Sequence, residues 1–396
     1  MRPESTRRGF EPLERRYLLS GLPNPPIVMY GHYDGSGVTD AVREIIPPFT
    51  IIEGTSRNAS FIRELRNQGK VYAAHVTNPQ NASAAELVAE WRAPFDDTVV
   101  AGGYDAIAID ELHGIHTDGT THSNEVVSAL QQLRALYPHK QIYVAVTWQY
   151  GYSAPQYSDQ LQALYEYADL IMVEAYLREN QPAYGHFAHW ADQLKTTVPG
   201  ILSKSVYGVG ISQGGHVFDD KSDMGFLGHL DQQLHSIRAD ADASTMPGLM
   251  FWVYYRTKRD VTPDYVAQLV DHYYTQNNTS YLGDGSTSQW ISNPQFDNNT
   301  NGWTLDVGNG GTMDRFSYAS VSHENDHSDF GWASHGTHGL RTIRGSTPNR
   351  ASYRMSGLDT QTIYNFSAWV IANSPGQRAM LEVRETNGTV IDSVEL

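Results

Sequence analysis

Eight short apolar runs, spaced by longer helix-like stretches, set the tightest limit on what this chain can fold into. They cover residues 27–33, 50–55, 71–76, 106–111, 142–148, 170–176, 206–212 and 249–255. Val, Ile and Tyr are frequent in them, as suits buried, pleated strands. The stretches between and after them, 60–67, 82–91, 125–137, 156–168, 186–198, 225–239 and 262–276, read as helices. Strands that alternate with helices pair in parallel, because a helical crossover returns the chain to the same end of the sheet. Eight such units predict a (β/α)8 TIM barrel over residues 22–275. An open doubly wound sheet is the structural alternative. No G-x-G-x-x-G follows the first run, so a dinucleotide site has no support.

Composition narrows the chemistry. The chain has no cysteine, which removes disulfides, thiolate nucleophiles, Cys-ligated zinc and iron–sulfur clusters. Lys and Arg number 28 against 44 Asp and Glu, a formal charge of −16. That balance opposes nucleic-acid binding, which needs cations to displace phosphate counterions. Aromatic residues make up 11% of the 396 residues, and 24 of them are Tyr. Tyr and Trp offer an apolar face with a polar edge, which suits sugar rings as well as ordinary packing. No apolar run is long enough to cross a membrane, so no membrane insertion is expected. There is no P-loop and no G-x-S-x-G.

Parity along the runs places candidate acids. In a barrel, side chains alternate between interior and helix layer, and active sites gather at the C-terminal strand ends. Ile107 and Ile109 suit the helix layer, so Ala106, Ala108 and Asp110 face inward with Asp110 at the rim, and Glu111 follows it. In the sixth run Met172, Glu174 and Tyr176 share the inward face, and in the second Glu53 shares a face with Ile51. Carboxylates converging on one rim can divide the roles of acid and nucleophile or base in glycoside hydrolysis. The plainer readings are an N-cap for Asp110–Glu111 and a salt bridge from Glu174 to Arg178 or Arg256. Tyr33, Trp148, Tyr176, Trp252 and Tyr255 close runs near that rim and are expected to bind substrate, with His32, His75 and His113 as sugar-hydroxyl donors. Those histidines, with His116, His122, Asp34, Asp110 and Glu111, could instead ligate a divalent metal for hydrolysis. No H-x-H stands on the first run and no H-E-x-x-H occurs, so neither metal nor cofactor is expected.

Three resemblances add expectations. Within residues 10–20, FEPLERRYLLS, the positions Leu13, Glu14, Arg16, Leu18, Leu19 and Ser20 resemble the LEPR-XLL motif of extracytoplasmic bacterial proteins. This implies that residues 1–21 are a targeting or disordered segment and that the protein is secreted or displayed at the cell surface. Residues 104–112, YDAIAIDEL, can be compared with the DGxDxDxE strand of family-18 chitinases. Asp105 and Asp110 match, Ala108 replaces the middle Asp, and Leu112 stands at the place of the catalytic Glu. Trp252 looks like the floor tryptophan of those barrels. After a polar linker, 276–288, residues 289–396 resemble carbohydrate-binding modules of the family-4/9/22 type. Asn293, Phe296, Asp297, Gly302, Trp303 and the stretch YNFSAWV at 364–370 carry the likeness. This implies a jelly-roll-like β-sandwich, which reads as truncated because the chain stops in mid-strand. The combined expectation is a secreted glycoside hydrolase acting on a polysaccharide or oligosaccharide. Asp110, Glu111 and Glu174 would be its catalytic carboxylates. A non-catalytic carbohydrate-binding surface protein and a metal-dependent hydrolase are the alternatives.

Overall fold

The computed structural model describes residues 22–32, 46–79, 81–100, 102–112, 123–177, 183–211, 226–252, 263–283, 285, 300–317, 338–358 and 378–395. The chain divides into two units, Met1–Gly357 and Leu358–Leu396.

In the first unit eight parallel strands close into a barrel in chain order. They are β1 (Ile27–His32), β2 (Ile51–Gly54), β3 (Val71–Val76), β4 (Ala106–Leu112), β5 (Gln141–Val146), β6 (Leu170–Glu174), β7 (Ser205–Gly210) and β8 (Leu249–Trp252). Around them lie α1 (Ala59–Asn67), α2 (Ala84–Arg92), α3 (Ser123–Leu136), α4 (Ser158–Tyr167), α5 (His186–Thr197), α6 (Phe226–Ala239) and α7 (Pro263–Val270). Each apolar run of the sequence holds one strand. The open-sheet alternative is excluded by the pairing of β8 with β1, from Ile27–Leu249 to Tyr30–Trp252.

Alternation of side chains gives the barrel two cores. The inner one holds Val28, Tyr30, Ile51, Ala73, Ala106, Ala108, Tyr143, Ala145, Leu170, Met172, Val206 and Met250. Alanines on β3 and β4 leave room for the tyrosines of β1 and β5, so the interior is filled rather than open. The outer core joins the other strand faces to the helices, through residues such as Ile107, Ile109, Leu130, Val144 and Leu164. Burying each such side chain contributes roughly 1.5–3 kcal/mol. Helix starts are set locally. Asn58 Oδ1 accepts the backbone N–H groups of Ser60 and Phe61 to cap α1, and Ser83 with Glu86 forms a capping box on α2.

The C-terminal strands are all antiparallel: β9 (Trp303–Asp306), β10 (Thr312–Ser317), β11 (His338–Ile343), β12 (Arg350–Tyr353), β13 (Met380–Arg384) and β14 (Val390–Glu395). In the first unit β9 pairs with β12 and β10 with β11; in the second β13 pairs with β14. Gly310 and Gly388, in turns between C-terminal strands, have φ of +74° and +91°, which favours glycine. The YNFSAWV stretch at 364–370, the positions Asn293, Phe296 and Asp297, and residues 1–21 lie outside the described residues. No helix among the described residues is long and apolar enough to cross a membrane.

Candidate active site

Two β-bulges shape the C-terminal rim of the barrel. Against β5, the three steps of β4 from Ile109 to Leu112 span two steps of the partner, Val144 to Val146. Glu111 sits in that bulge with φ +37°, a backbone conformation that a side chain rarely adopts. The bulge keeps Asp110 on the inner face, leaves Glu111 exposed and returns Leu112 to the outer core. The second bulge lies in β1 between Met29 and His32. There Gly31, with φ +91°, donates its N–H to Glu53 Oε2 at 2.7 Å.

The inward side chains of β1–β4 form a connected polar array at this rim. Glu53 is fully buried, and its other oxygen, Oε1, lies 2.6 Å from His75 Nδ1. The opposite ring nitrogen, Nε2, faces Asp110 Oδ2 at 3.8 Å. Tyr30 donates its hydroxyl to Asp110 Oδ1. Parity had singled out Glu53 and Asp110. Tyr30 escaped the sequence reading, although its spacing from Val28 puts it on the same face.

Glu174 ends β6 and is 6% exposed. Burial, then the negative charges of Glu111 and Asp110, push its carboxyl up to about 9, against a smaller opposing effect of the Tyr176 hydroxyl. Burial disfavours the charged form, and neighbouring carboxylates disfavour it further. Glu174 therefore keeps its proton at neutral pH. Its barrel partner across the β6–β7 ladder is Gly208. A Cβ at Gly208 would meet Met250 Cε at 2.1 Å and Tyr176 Cε1 at 3.4 Å. The missing side chain makes room for Met250 and Tyr176 beside Glu174.

Aromatic rings line the same end. Tyr176 and Trp252 are half-buried against the inner core, with ring centroids 5.1 Å apart and planes 30° from parallel. Trp148, just beyond β5, is 50% exposed. His32 ends β1, but its side chain lies outside the described residues, as do Tyr33, His113, Tyr255, Arg178 and Arg256. Asp105, which the family-18 comparison matched, precedes β4 and lies at the other end of the barrel. It pairs with Arg66 at 2.7 Å and Lys140 at 3.9 Å, a surface role. Among the described residues no group of three or more His, Asp or Glu is arranged to hold a metal ion.

No protein-family model matches the sequence. No curated protein matches it. Solved structures do. The catalytic domain of a hyperthermophilic chitinase from Pyrococcus furiosus matches with TM-score 0.41 and 12% identity, over 59% of this chain and 86% of that one. A family-18 chitinase catalytic domain from the fern Peteris ryukyuensis gives TM-score 0.43 and 11% identity, over 62% and 98%. A psychrophilic family-10 endo-β-1,4-xylanase gives 0.38 and 11%, over 57% and 85%.

Proposed function

We propose that this protein is a glycoside hydrolase, with Glu174 as its general acid and Asp110 as the carboxylate facing the anomeric carbon. The observation that carries the reading is the contrast at one rim. Glu174 keeps its proton to about pH 9, while Asp110 beside it is approached on both oxygens, by the Tyr30 hydroxyl and the His75 ring. Environments that separate two acids in this way divide the roles of proton donor and charged partner. Water is added across the glycosidic C–O bond. Glu174 gives its proton to the leaving oxygen, which keeps the bond's electron pair. The anomeric carbon takes the hydroxyl of water, and the remaining water proton returns to a carboxylate of the site. Asp110 balances the positive charge that develops on the sugar. Exposed Glu111 holds up the Glu174 proton affinity through its charge. Tyr176, Trp252 and Trp148 offer faces for sugar rings, with His32, His113, Tyr33 and Tyr255 as further substrate contacts, while the His75 ring is held between Glu53 and Asp110.

The sequence resemblances extend the proposal. Residues 289–396, with Trp303 stacked edge-on against Tyr353 at 5.4 Å, would act as a carbohydrate-binding module that raises polysaccharide concentration near a catalytic domain at 22–275. The motif at residues 13–20 supports export or surface display.

The test is turnover of a glycan panel by the parent and by Glu174→Gln. Loss of the general acid should slow hydrolysis about 100- to 10,000-fold. Equal turnover would reject Glu174 as the acid. Glycan binding without product from any substrate would mark a non-catalytic carbohydrate-binding protein.

A further inference from the structure

Glu53 and His75 are not needed to describe proton donation by Glu174, yet they are placed with more care than an incidental pair. Glu53 is an anion-forming side chain with no exposure, on the inner face of β2. Both its oxygens are engaged, Oε2 by the Gly31 N–H at 2.7 Å and Oε1 by His75 Nδ1 at 2.6 Å. A carboxylate that accepts two N–H groups fixes the imidazole tautomer with its proton on Nδ1. At Nε2 the ring faces Asp110 Oδ2, 3.8 Å away, and attracts it when the imidazole carries a second proton there. Tyr30 holds the other Asp110 oxygen. Glu53 from β2, Asp110 from β4 and, through Asp110, Tyr30 from β1 thus face His75.

We propose that Glu53 and His75 form a positioning pair that orients Asp110 and sets the charge beside it, with Glu53 acting only through the imidazole. This deepens the glycoside-hydrolase reading and rests on it for its kinetic consequence. Asp110 touches the reacting sugar in that reading, whereas Glu53 and His75 do not. The strand register supports the division. Glu53 pairs with Ala73 on β3, which places His75 one inward step further toward the rim, between Glu53 and Asp110. The bulge at Gly31 supplies the second N–H donor that a regular strand would have spent on its ladder.

Two measurements test the pair. In the first, Glu53→Gln and His75→Asn are compared with the parent on a substrate the parent turns over. Each should lower kcat about 10- to 100-fold with KM little changed, as for the loss of an orienting partner. The double variant should be no slower than the slower single variant, since the residues act as a unit. The pH–rate profile of Glu53→Gln should be displaced, because the charge beside the imidazole is gone. Full activity in both variants, or independent and multiplying losses with an unmoved profile, would overturn the proposal. In the second, ring nitrogen NMR, with His75 assigned by difference from His75→Asn, reads the tautomer without any substrate. A proton held on Nδ1, lost or moved in Glu53→Gln, with an Nε2 resonance that moves in Asp110→Asn, is the expected result. A ring insensitive to both substitutions would refute the pair even in a protein that cleaves nothing. If instead the NMR result stands and no glycan is cleaved, the hydrolase reading is what fails.

Discussion

At the scale of single residues, Glu174 ties function to stability. Its carboxyl keeps its proton to about pH 9 in the folded chain, against an ordinary value of 4.5. Below about pH 4.5 folded and unfolded chains both carry that proton. Between there and about pH 9 the unfolded chain ionises and the folded chain does not, so stability falls as pH rises, by up to about 1.4 kcal/mol per pH unit. Above pH 9 the loss levels off. Glu174→Gln is neutral at every pH and should be more stable than the parent at pH 7, by about 3 kcal/mol at most. The gain should vanish toward pH 4.5, and urea melts at the two pH values check it. A variant equally stable at both would mean that Glu174 ionises normally. His229 acts in the opposite direction. It is fully buried on α6 between the Tyr184 hydroxyl and the Leu177 carbonyl, and burial pushes its imidazole below the ordinary 6.5. Its contribution is present above pH 6.5 and is lost as pH falls through the lower folded value. Melts of His229→Gln should therefore lose less stability than the parent between pH 6.5 and 5. Parity made the inward face of Asp110, Glu174 and Glu53 legible in the sequence. The pairing of Glu53 with His75 was not, because it depends on the register between β2 and β3, which no local pattern encodes.

At the scale of elements, the periodicity of apolar residues was enough to place every barrel strand within a few residues, since each run is bounded by polar or glycine-rich stretches. The bulges were invisible, because an inserted residue leaves the apolar pattern almost intact. The β4 bulge carries a test that separates strain from charge. Glu111→Gly removes both the unfavourable φ of +37° and the negative charge near Glu174; Glu111→Gln removes only the charge. The glycine variant should gain about 1 kcal/mol of stability over the glutamine variant. Both should lower the Glu174 proton affinity, so the alkaline fall in hydrolysis should move to lower pH in each. Equal melting of the two variants would show that the bulge stores no strain. Barrel closure offers a second test. Gly248 leads into β8, and a Cβ there would lie 2.0 Å from the Pro26 carbonyl oxygen, which accepts the Leu249 N–H at 3.1 Å. Backbone cannot yield as a side chain end can. Gly248→Ala should therefore destabilise the chain by about 1–3 kcal/mol, read by thermal melting.

At the scale of the whole chain, the question is where the barrel body ends. The stretch 276–288 reads as a polar linker on composition, rich in Asn, Gly, Ser and Thr. Its first residues are nonetheless held on α6. Buried Asp231 accepts the Leu282 and Gly283 N–H groups at 3.0 and 2.8 Å and the Tyr273 hydroxyl at 2.5 Å. His235 lies against the Tyr281 ring at 3.7 Å and faces the Thr279 carbonyl at 2.9 Å, while Arg238 bonds Asn277. Composition could not reveal this, because polar residues serve a solvated linker and a hydrogen-bonded strap equally well. In the C-terminal region partner choice, β9 with β12 and β10 with β11, joins segments up to about fifty residues apart and is a tertiary property that no local pattern encodes. The strap makes a direct prediction. Replacing Asp231 by Asn exchanges one acceptor for a donor opposite two N–H groups and a hydroxyl, leaving buried donors unmatched. Such a group costs about 1–3 kcal/mol. Asp231→Asn should lower the denaturation midpoint accordingly, and amide exchange at residues 282 and 283 should accelerate well before global unfolding. If exchange there already matches that of an exposed coil in the parent, the strap does not form, and the barrel body ends with the helix that follows β8.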